Sequence, residues 1–314
     1  MNNNSAASTW DAFCGYILNY AAANEDFVMV ISDSLPGAEV FDTLPEEKLS
    51  KASSVSSLIL GAAGYAIAGK KPWLISDSSV ITAVGYGQIR EALAIPSLPV
   101  KIVVSEGGLC HGQEGFSYNI LEDVSLMRTL PHMNVFVPSD LPSFVETAET
   151  AERAQAPSYI RLSRTPLPTF TDEMGDSSVP RGARMLISET GVTICACGTM
   201  VSQALKAAGI LEQQGIGAEV IDCYSVKPLP EQILLASVRR TGCCVVAEEQ
   251  SRIGGLCGAV AECLCATYPV PVRFVAVDDY FVGSGMPEEL REYHGLTWQE
   301  IVSAASQVWA LRRR

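Results

Sequence analysis

Two glutamates and a histidine lie close together in the sequence and could do acid–base chemistry. Glu106 and Glu114 flank the segment GGLCHG, which contains His111. Two carboxylates beside an imidazole can share a proton or hold a substrate hydroxyl group. The segment also has the composition of a solvated loop, in which either glutamate would be only a capping acid. The sequence therefore leaves two alternatives, a polar active-site cluster and a surface loop.

The cysteines and the other histidines do not predict a metal site. The ten cysteines include no CxxC spacing, and besides His111 only His132 and His294 could supply a nitrogen ligand. Six cysteines fall inside apolar strand or helix patterns, which indicates buried, reduced thiols used as small apolar residues. These six are Cys195, Cys197, Cys243, Cys244, Cys263 and Cys265.

The elements that must position these residues alternate between strands and helices. In the first half, apolar runs predict strands at Phe27–Ser32, Pro72–Ser76, Val100–Ser105, Val135–Val137 and Tyr159–Leu162. Helical spacing predicts helices at Ser56–Ala68, Tyr86–Ala94 and Pro142–Ala154. This alternation indicates a mostly parallel sheet with helices on both faces.

The alternation stops at a polar stretch and then starts again. We place a linker at residues 169–184, between a first domain at residues 1–168 and a second at residues 185–314. The second domain is predicted from strands Val192–Cys197, Ala218–Cys223, Cys243–Ala247 and Val272–Val277, and from helices Thr199–Gln214, Pro230–Arg239, Gly255–Ala266 and one that begins at Thr297. The predicted fold class is α/β, with two doubly wound domains.

Composition narrows the range of functions. The chain has 22 Lys and Arg residues against 35 Asp and Glu residues, which gives a net charge of −13. An acidic surface disfavours nucleic acids and anionic membranes as partners. The sequence contains neither a long apolar run nor a signal-peptide pattern at its amino terminus, so we expect a cytoplasmic protein.

Residues 44–70, LPEEKLSKASSVSSLILGAAGYAIAGK, resemble a thiamine diphosphate motif of the transketolase family. The family's catalytic glutamate lies ten residues after a proline, which is Pro45 here, and nine before a glycine, which is Gly64 here. Both counts reach Val55. The family's glutamate hydrogen-bonds N1′ of the cofactor's aminopyrimidine ring, and valine has no group for this role. The resemblance implies either changed chemistry or a dead site.

Further ordered matches extend the resemblance from about Thr9 to the end of the chain. Residues 84–90 (VGYGQIR), 112–115 (GQEG) and 126–140 (LMRTLPHMNVFVPSD) are similar to the family's pyrimidine-binding domain. ACGTMVSQAL, VIDCYSVKPLP, AEEQSRIGGLCGAVAE and FVGSG are similar, in order, to its carboxyl-terminal domain. The chain therefore resembles the carboxyl-terminal half of a transketolase.

The resemblance implies a split enzyme. In the family, a GDG…N motif in the amino-terminal half holds Mg²⁺ and, through it, the cofactor diphosphate. The one Gly-Asp pair here, Gly175-Asp176, has no partnering Asn downstream. A separate amino-terminal, transketolase-like subunit is therefore expected to hold most of the thiamine diphosphate and the Mg²⁺. The two chains are expected to assemble as an α₂β₂ heterotetramer.

Five positions match residues that contact the cofactor in the family. Asp33 matches an aspartate that lines the cofactor cleft. Ser78, Ile81 and Val84 stand where the family has aromatic residues, or an arginine, along one helical approach to the pyrimidine ring. Ile81 could still cover the ring, although aromatic stacking is lost. Together with Val55, these are the cofactor-binding residues that the resemblance implies.

Three further positions match catalytic residues. Glu106 and Tyr118 stand where transketolases place two substrate-binding histidines. Glu114 replaces an aspartate and keeps a carboxylate that can meet a substrate hydroxyl group. We predict a catalytic role for all three residues.

The predicted substrate-binding residues are Arg164 and His111. Arg164 matches one of the family's two phosphate-binding arginines, and Trp10 replaces the other, so a phosphate should bind more weakly. His111 falls on a position that is usually apolar, which leaves a structural role as its alternative.

Three functions remain open. The first is the β-type subunit of a transketolase-like enzyme that moves a two-carbon ketol unit, or a related acyl unit, from a ketose-like donor to an aldehyde-like acceptor. In that enzyme the cofactor supplies the nucleophilic carbon and its own base. The second is a catalytically degenerate subunit that stabilises or regulates its partner. The third is the β chain of a 2-oxo acid dehydrogenase, which the sequences of the motifs favour least.

Overall fold

The first part of the chain builds a parallel sheet between layers of helices. The computed structural model describes residues 7–170 and 182–312. The strands of the first part are β1 Phe27–Ser32, β2 Leu49–Ala52, β3 Lys71–Ser76, β4 Lys101–Val104, β5 Asn134–Phe136 and β6 Ser158–Arg161. Its α-helices are α1 Thr9–Ala23, α2 Val55–Ile67, α3 Tyr86–Ile89, α4 Asp123–Thr129 and α5 Leu141–Arg153, and π-helical segments at Ser79–Val84 and Arg90–Ala94 flank α3.

The second part repeats the alternation in a smaller sheet. Its strands are β7 Arg184–Ile187, β8 Val192–Ala196, β9 Ala218–Asp222, β10 Ser225–Lys227, β11 Cys244–Ser251 and β12 Val272–Val277. Its helices are α6 Met200–Gln213, α7 Glu231–Thr241, α8 Leu256–Thr267, α9 Pro287–Tyr293 and α10 Trp298–Ala310. The predicted α/β class with two mostly parallel sheets is confirmed.

The two sheets are less independent than the sequence predicts. The strand order is β10-β5-β6-β4-β3-β1-β2 in the larger sheet and β12-β11-β8-β9-β7 in the smaller one. Strand β10 follows the second domain's β9 in the chain, yet it pairs antiparallel with β5 of the first domain. The second domain therefore completes one edge of the first sheet. Strand β7 pairs antiparallel with β9, and the other pairs are parallel.

Buried strands explain the apolar runs in the sequence. Along β1, Val28 and Val30 enter one core, while Met29 and Ile31 enter another on the opposite face. A strand covered on both faces has no polar side to alternate with, so it reads as a continuous apolar run. Polar caps fix the helices on either side, and Asp140 closes a capping box with Ser143 at the start of α5.

Two strands missing from the prediction lack a local apolar signal. Strand β2 is a partly exposed edge strand with the sequence LSKA, and β10 has only three residues. Helices α1, α4 and α9 and strand β7 were also not predicted. Of the predicted linker at 169–184, residues 171–181 lie outside the described residues.

Two further observations concern burial. Nine of the cysteines are buried or half-buried, but Cys265 is exposed, so its prediction as a buried thiol is wrong. It lies in α8, on the exposed side of the helix. In the described part of the chain, no helix is both long enough and apolar enough to cross a bilayer.

Candidate functional site

Charged side chains meet at the carboxyl edge of the first sheet. Asp77 directly follows β3, Glu106 lies two residues after β4, and Arg164 lies three residues after β6. Strands β6, β4 and β3 are neighbours and run parallel, so their carboxyl ends reach the same edge. Open α/β sheets bind their ligands at this edge. We treat this charged cluster as the candidate site.

His111 is the centre of the cluster. Its Nε2 is hydrogen-bonded to Oδ2 of Asp77 and lies 3.3 Å from Oε2 of Glu106. Its Nδ1 lies 3.0 Å from Oε2 of Glu114. The side chains of Asp77, Glu106 and His111 are mostly buried, whereas that of Glu114 is 55 % exposed. Of the two alternatives for this segment, the geometry matches the polar cluster.

The surrounding carboxylates keep a proton on His111. Burial by itself would lower the pKa of the imidazole, but the hydrogen bond and charge of Asp77, the charge of Glu106 and the hydrogen bond to Glu114 raise that pKa to about 9. Burial would raise the pKa of Asp77, and its bonds to His111 and Ser79 outweigh burial and lower it. Burial does raise the pKa of Glu106, despite the opposing charges of His111 and Arg164. At neutral pH the cluster therefore contains an imidazolium ion.

This imidazolium gives a testable pH dependence. Because the folded pKa of His111 is raised from 6.5 to about 9, its ion pairs contribute their full stability below about pH 6.5. That contribution is lost as the pH rises through about 9. We expect the His111 ring signals to titrate near pH 9 in a ¹⁵N NMR experiment on the folded protein. A midpoint at or below 6.5 would contradict the cluster geometry.

Arg164 forms the other wall of the cluster. Its Nε lies 3.3 Å from Oε1 of Glu106, and its terminal Nη2 donates a hydrogen bond of 2.7 Å to the Pro36 carbonyl. Its guanidinium carbon lies 4.8 Å from the centre of the Trp10 ring. Glu106 therefore contacts both cations, His111 on one side and Arg164 on the other.

A buried arginine between the domains supports the loop that carries Glu106 and His111. Arg161, at the end of β6, pairs with Asp123 at 3.3 Å and donates a 2.8 Å hydrogen bond to the Glu249 carbonyl of β11. Gly108 lies against Arg161 and the Glu249 carbonyl. A Cβ at this position would collide with Arg161 and lie 2.8 Å from the Glu249 carbonyl oxygen. With φ at +69°, this position suits only a residue without a side chain.

The second domain also holds the far end of the same loop. The Glu249 carboxylate accepts a hydrogen bond from the backbone N–H of Leu109 at 3.1 Å. The N–H of Gly285 donates to the Gly112 carbonyl at 2.9 Å. The loop is therefore fixed by second-domain groups on both sides of His111. The second domain positions the site although it supplies none of the charged side chains of the cluster.

Val55 makes an apolar contact where the resemblance implies a catalytic acid. It is the first residue of α2 and is half-buried. A Cβ on Gly85 would lie only 2.9 Å from Cγ1 of Val55 and 2.8 Å from Cδ1 of Ile59. Helix α2 thus packs closely on the turn at Gly85, and Val55 offers this surface no proton donor.

The three positions predicted to approach the pyrimidine ring do not share one face. Ser78 and Ile81 are fully buried, whereas Val84 is 71 % exposed. The spacing of three residues assumes an α-helix, but Ser79–Val84 is π-helical, with more residues per turn. Of the three, only Val84 offers side-chain surface to a ligand. In this conformation Ile81 packs in the core and does not form the cover over a ring that the sequence predicts.

The two remaining predicted positions lie at the border of the site. Tyr118 is half-exposed, and its ring centre lies 5.9 Å from that of His111. Asp33 has an exposed side chain, while its backbone N–H donates to the Ala52 carbonyl at 3.2 Å. Asp33 therefore follows β1 at the same edge of the sheet.

The described residues suit the ring of thiamine diphosphate better than its diphosphate. Val84 and the half-buried Val55 present apolar surface, which favours an aromatic ring. In residues 7–170 and 182–312, Asp77, Glu106 and His111 form the one group that could hold a metal, with ligand atoms within 4.8 Å of one another. A histidine must be neutral to bind a metal, and the raised pKa of His111 opposes that state. The same three side chains already bind one another in the charged cluster.

Sequence reasoning missed Asp77 altogether. The residue lies in the polar stretch SDSS, which resembles an ordinary turn. Asp77 could have been found from its position directly after the buried strand β3. That strand is the neighbour in the sheet of β4, which precedes Glu106. It also missed the Trp10 and Arg164 contact, because these residues are 154 positions apart in the chain.

Family comparisons agree with the fold. Residues 58–169 match the transketolase pyrimidine-binding domain, and residues 182–301 match the transketolase carboxyl-terminal domain. A 6-deoxy-6-sulfo-D-fructose transketolase subunit from Clostridium sp. (strain MSTE9) is 36 % identical over 95 % of this chain and 93 % of its own length. An apulose-4-phosphate transketolase subunit from Phocaeicola vulgatus is 29 % identical over 97 % of this chain and 98 % of its own length.

Solved transketolase structures superpose on nearly the whole of this chain. A split-gene transketolase described as an inactive β4 tetramer superposes with a TM-score of 0.87, at 34 % identity, over 98 % of this chain and all of that chain. A transketolase from Campylobacter jejuni superposes with a TM-score of 0.79 at 20 % identity, which supports the fold alone. This chain covers 46 % of that one.

Proposed function

The chain belongs to the transketolase family, and we propose that it is the carboxyl-terminal subunit of a split, thiamine diphosphate-dependent transketolase. In this proposal it moves a two-carbon ketol unit, or a related acyl unit, from a ketose-like donor to an aldehyde-like acceptor, and it acts only with a partner subunit.

Coverage is the observation that carries this proposal. The chain aligns with 93 % and 98 % of two transketolase subunits, but with only 46 % of a transketolase that combines both halves in one chain. A subunit with these two domains needs a second chain that supplies the diphosphate-binding half. The one possible metal group in the described residues includes an imidazole, whereas Mg²⁺ takes oxygen ligands.

When bound, thiamine diphosphate would supply the nucleophilic carbon and the base for the ketol transfer. The apolar surface of Val55 and Val84 would face the pyrimidine ring, and the partner would hold the diphosphate and Mg²⁺. Val55 cannot contribute the proton donor that a glutamate would, so the protein's part in activation must come from other groups.

In this proposal the charged cluster binds and orients the substrate. Both ring N–H groups of protonated His111 are engaged, Nε2 by Asp77 and Nδ1 by Glu114, so its positive charge stabilises negative charge that develops on a substrate oxygen, and Nδ1 donates to that oxygen once Glu114 turns to the substrate. Glu114, which is exposed and 3.0 Å from His111, accepts a hydrogen bond from a substrate hydroxyl group. Asp77 is a positioning residue, because it fixes the ring and the protonation state of His111. Glu106 and Arg164 line the outer part of the site.

The degenerate subunit remains the second candidate, and Val55 is the observation that favours it. An apolar residue at this helix start removes the acid that the family uses. The intact charged cluster, held from both sides by the second domain, favours the enzyme. We therefore rank the enzyme first.

Reconstitution tests the proposal. We expect no ketol transfer by this chain alone, transfer when it is mixed with an amino-terminal transketolase-like subunit, and an α₂β₂ mass for the mixture in multi-angle light scattering. The exposed apolar side chains Leu60 and Val84, on α2 and the π-helical segment, belong to the surface that the partner would cover. Activity of the isolated chain, or failure of the two chains to associate, would disprove the proposal.

A further inference from the structure

The arrangement of Glu106 around Arg164 bears on the class of substrate. The Nε of Arg164 lies 3.3 Å from the Glu106 carboxylate, and Nη2, on the same edge of the guanidinium, donates to the Pro36 carbonyl at 2.7 Å. One face lies on Trp10. A phosphate binds arginine strongly when it receives two parallel N–H donors. Here the Glu106 carboxylate already stands beside Nε, where such an anion would bind, as an ion pair in which the Nε–H makes no hydrogen bond.

The charge balance of the cluster also disfavours binding of an anion. The cluster contains three carboxylates, on Asp77, Glu106 and Glu114, and two cations, on His111 and Arg164. With all five groups ionised, one net negative charge remains. An added phosphate or sulfonate would place two like charges within a few Å of each other in a mostly buried site, which is strongly unfavourable.

The protonation of Glu106 provides an independent argument. Burial raises the pKa of this carboxyl group although two cations lie beside it. A further anion at Arg164 would raise this pKa more, so binding of the anion would favour uptake of a proton. Uncharged hydroxyl groups have no such requirement, and the carboxylates can accept hydrogen bonds from them.

We propose that the site takes a polyhydroxylated ketose whose far end is uncharged, and that Glu106 excludes sugar phosphates and sulfonates by occupying Arg164. This inference rests on the proposed ketol transfer. It adds the substrate class, since the relatives whose names specify a substrate act on a sulfonated and a phosphorylated sugar.

The test compares two donors that differ only in a terminal phosphate. The reconstituted complex is assayed with D-xylulose and with D-xylulose 5-phosphate, with glycolaldehyde as the acceptor. We expect kcat/KM to favour the unphosphorylated ketose by about tenfold or more, and inorganic phosphate at 10 mM to inhibit by less than about twofold. Glu106→Gln keeps the shape of the side chain and frees Arg164, so it should shift the ratio toward the phosphorylated donor by at least about tenfold.

Glu114→Gln is the matched control. It also removes one negative charge next to His111, but from the side away from Arg164, so it should shift the ratio much less. A native preference for the phosphorylated donor would overturn the inference, as would an unchanged ratio in a folded Glu106→Gln complex. Both outcomes require turnover and so leave the proposed function intact. If neither donor turns over, the proposed function fails for these donors. The inference is then tested by calorimetric titration of the complex with the two ketoses, and tighter binding of the phosphorylated ketose overturns it.

Discussion

Val55→Glu will change the rate at which deuterium exchanges into C2 of bound thiamine diphosphate by at least about tenfold in the reconstituted complex. General acid–base contacts of this kind contribute roughly 10²–10⁴ to a rate. Val55 begins α2 and packs against the Gly85 turn, beside the exposed Val84. A glutamate there would place a carboxyl group where the family's acid stands. The exchange is measured by quenching the complex in acid and recording the C2 proton by NMR.

The direction of the change separates the two candidate functions. If native exchange is undetectable and appears only in Val55→Glu, the native chain is a degenerate subunit. If native exchange is robust, the native site activates the cofactor by another route, and Glu106 is the first group to test. Val55→Gln is the control for size, because it has the shape of glutamate without its charge. An unfolded variant is recognised by its thermal transition, because a charge beside Ile59 could be costly.

His111→Ala will lower kcat/KM of the complex by about 10²–10⁴, the range expected for loss of a positioned proton donor. The substitution removes the imidazolium and leaves Asp77, Glu106 and Glu114 facing one another without it. In the native complex we also expect kcat/KM to fall above about pH 9, because the donor form of His111 is lost as the pH passes its pKa.

His294→Ala is the matched control for this change. His294 bonds Tyr280 in the second domain, and burial lowers its pKa, so its loss should leave kcat/KM within about threefold of the native value. Asp77→Asn should lower the pKa of His111 and move the alkaline limit of activity to lower pH. If His111→Ala is as active as the native complex, His111 has only the structural role that the sequence left open.

The sequence predicts the buried framework well, because each buried strand carries its own signal. β1 and β3 are examples, since they contain the uninterrupted buried apolar stretches Phe27–Ile31 and Pro72–Ile75. β10 could not be found in this way, because a three-residue strand is defined by its partner β5, and that partner lies about ninety positions earlier. The dependence of the first sheet on the second domain is therefore a property of the tertiary structure alone.

The site was predictable where it depends on local order. Glu106, His111 and Glu114 lie within nine residues of one another, and their proximity follows from one loop. The Asp77 contact depends on the order of β3 and β4, and the burial of Ile81 depends on a π-helical turn that α-helical spacing does not anticipate. The Glu106 and Arg164 pair needs the adjacency of β4 and β6.

A cofactor site shared between two chains is tested most directly by a calorimetric titration with thiamine diphosphate and Mg²⁺, with and without the partner. We expect no binding to this chain alone and binding, with a Kd in the micromolar range or below, once an amino-terminal transketolase-like subunit is present. The partner alone serves as the control for its own affinity. Micromolar binding to the isolated chain, or no gain in affinity when the two chains are mixed, would contradict the claim that the cofactor site is shared between two subunits.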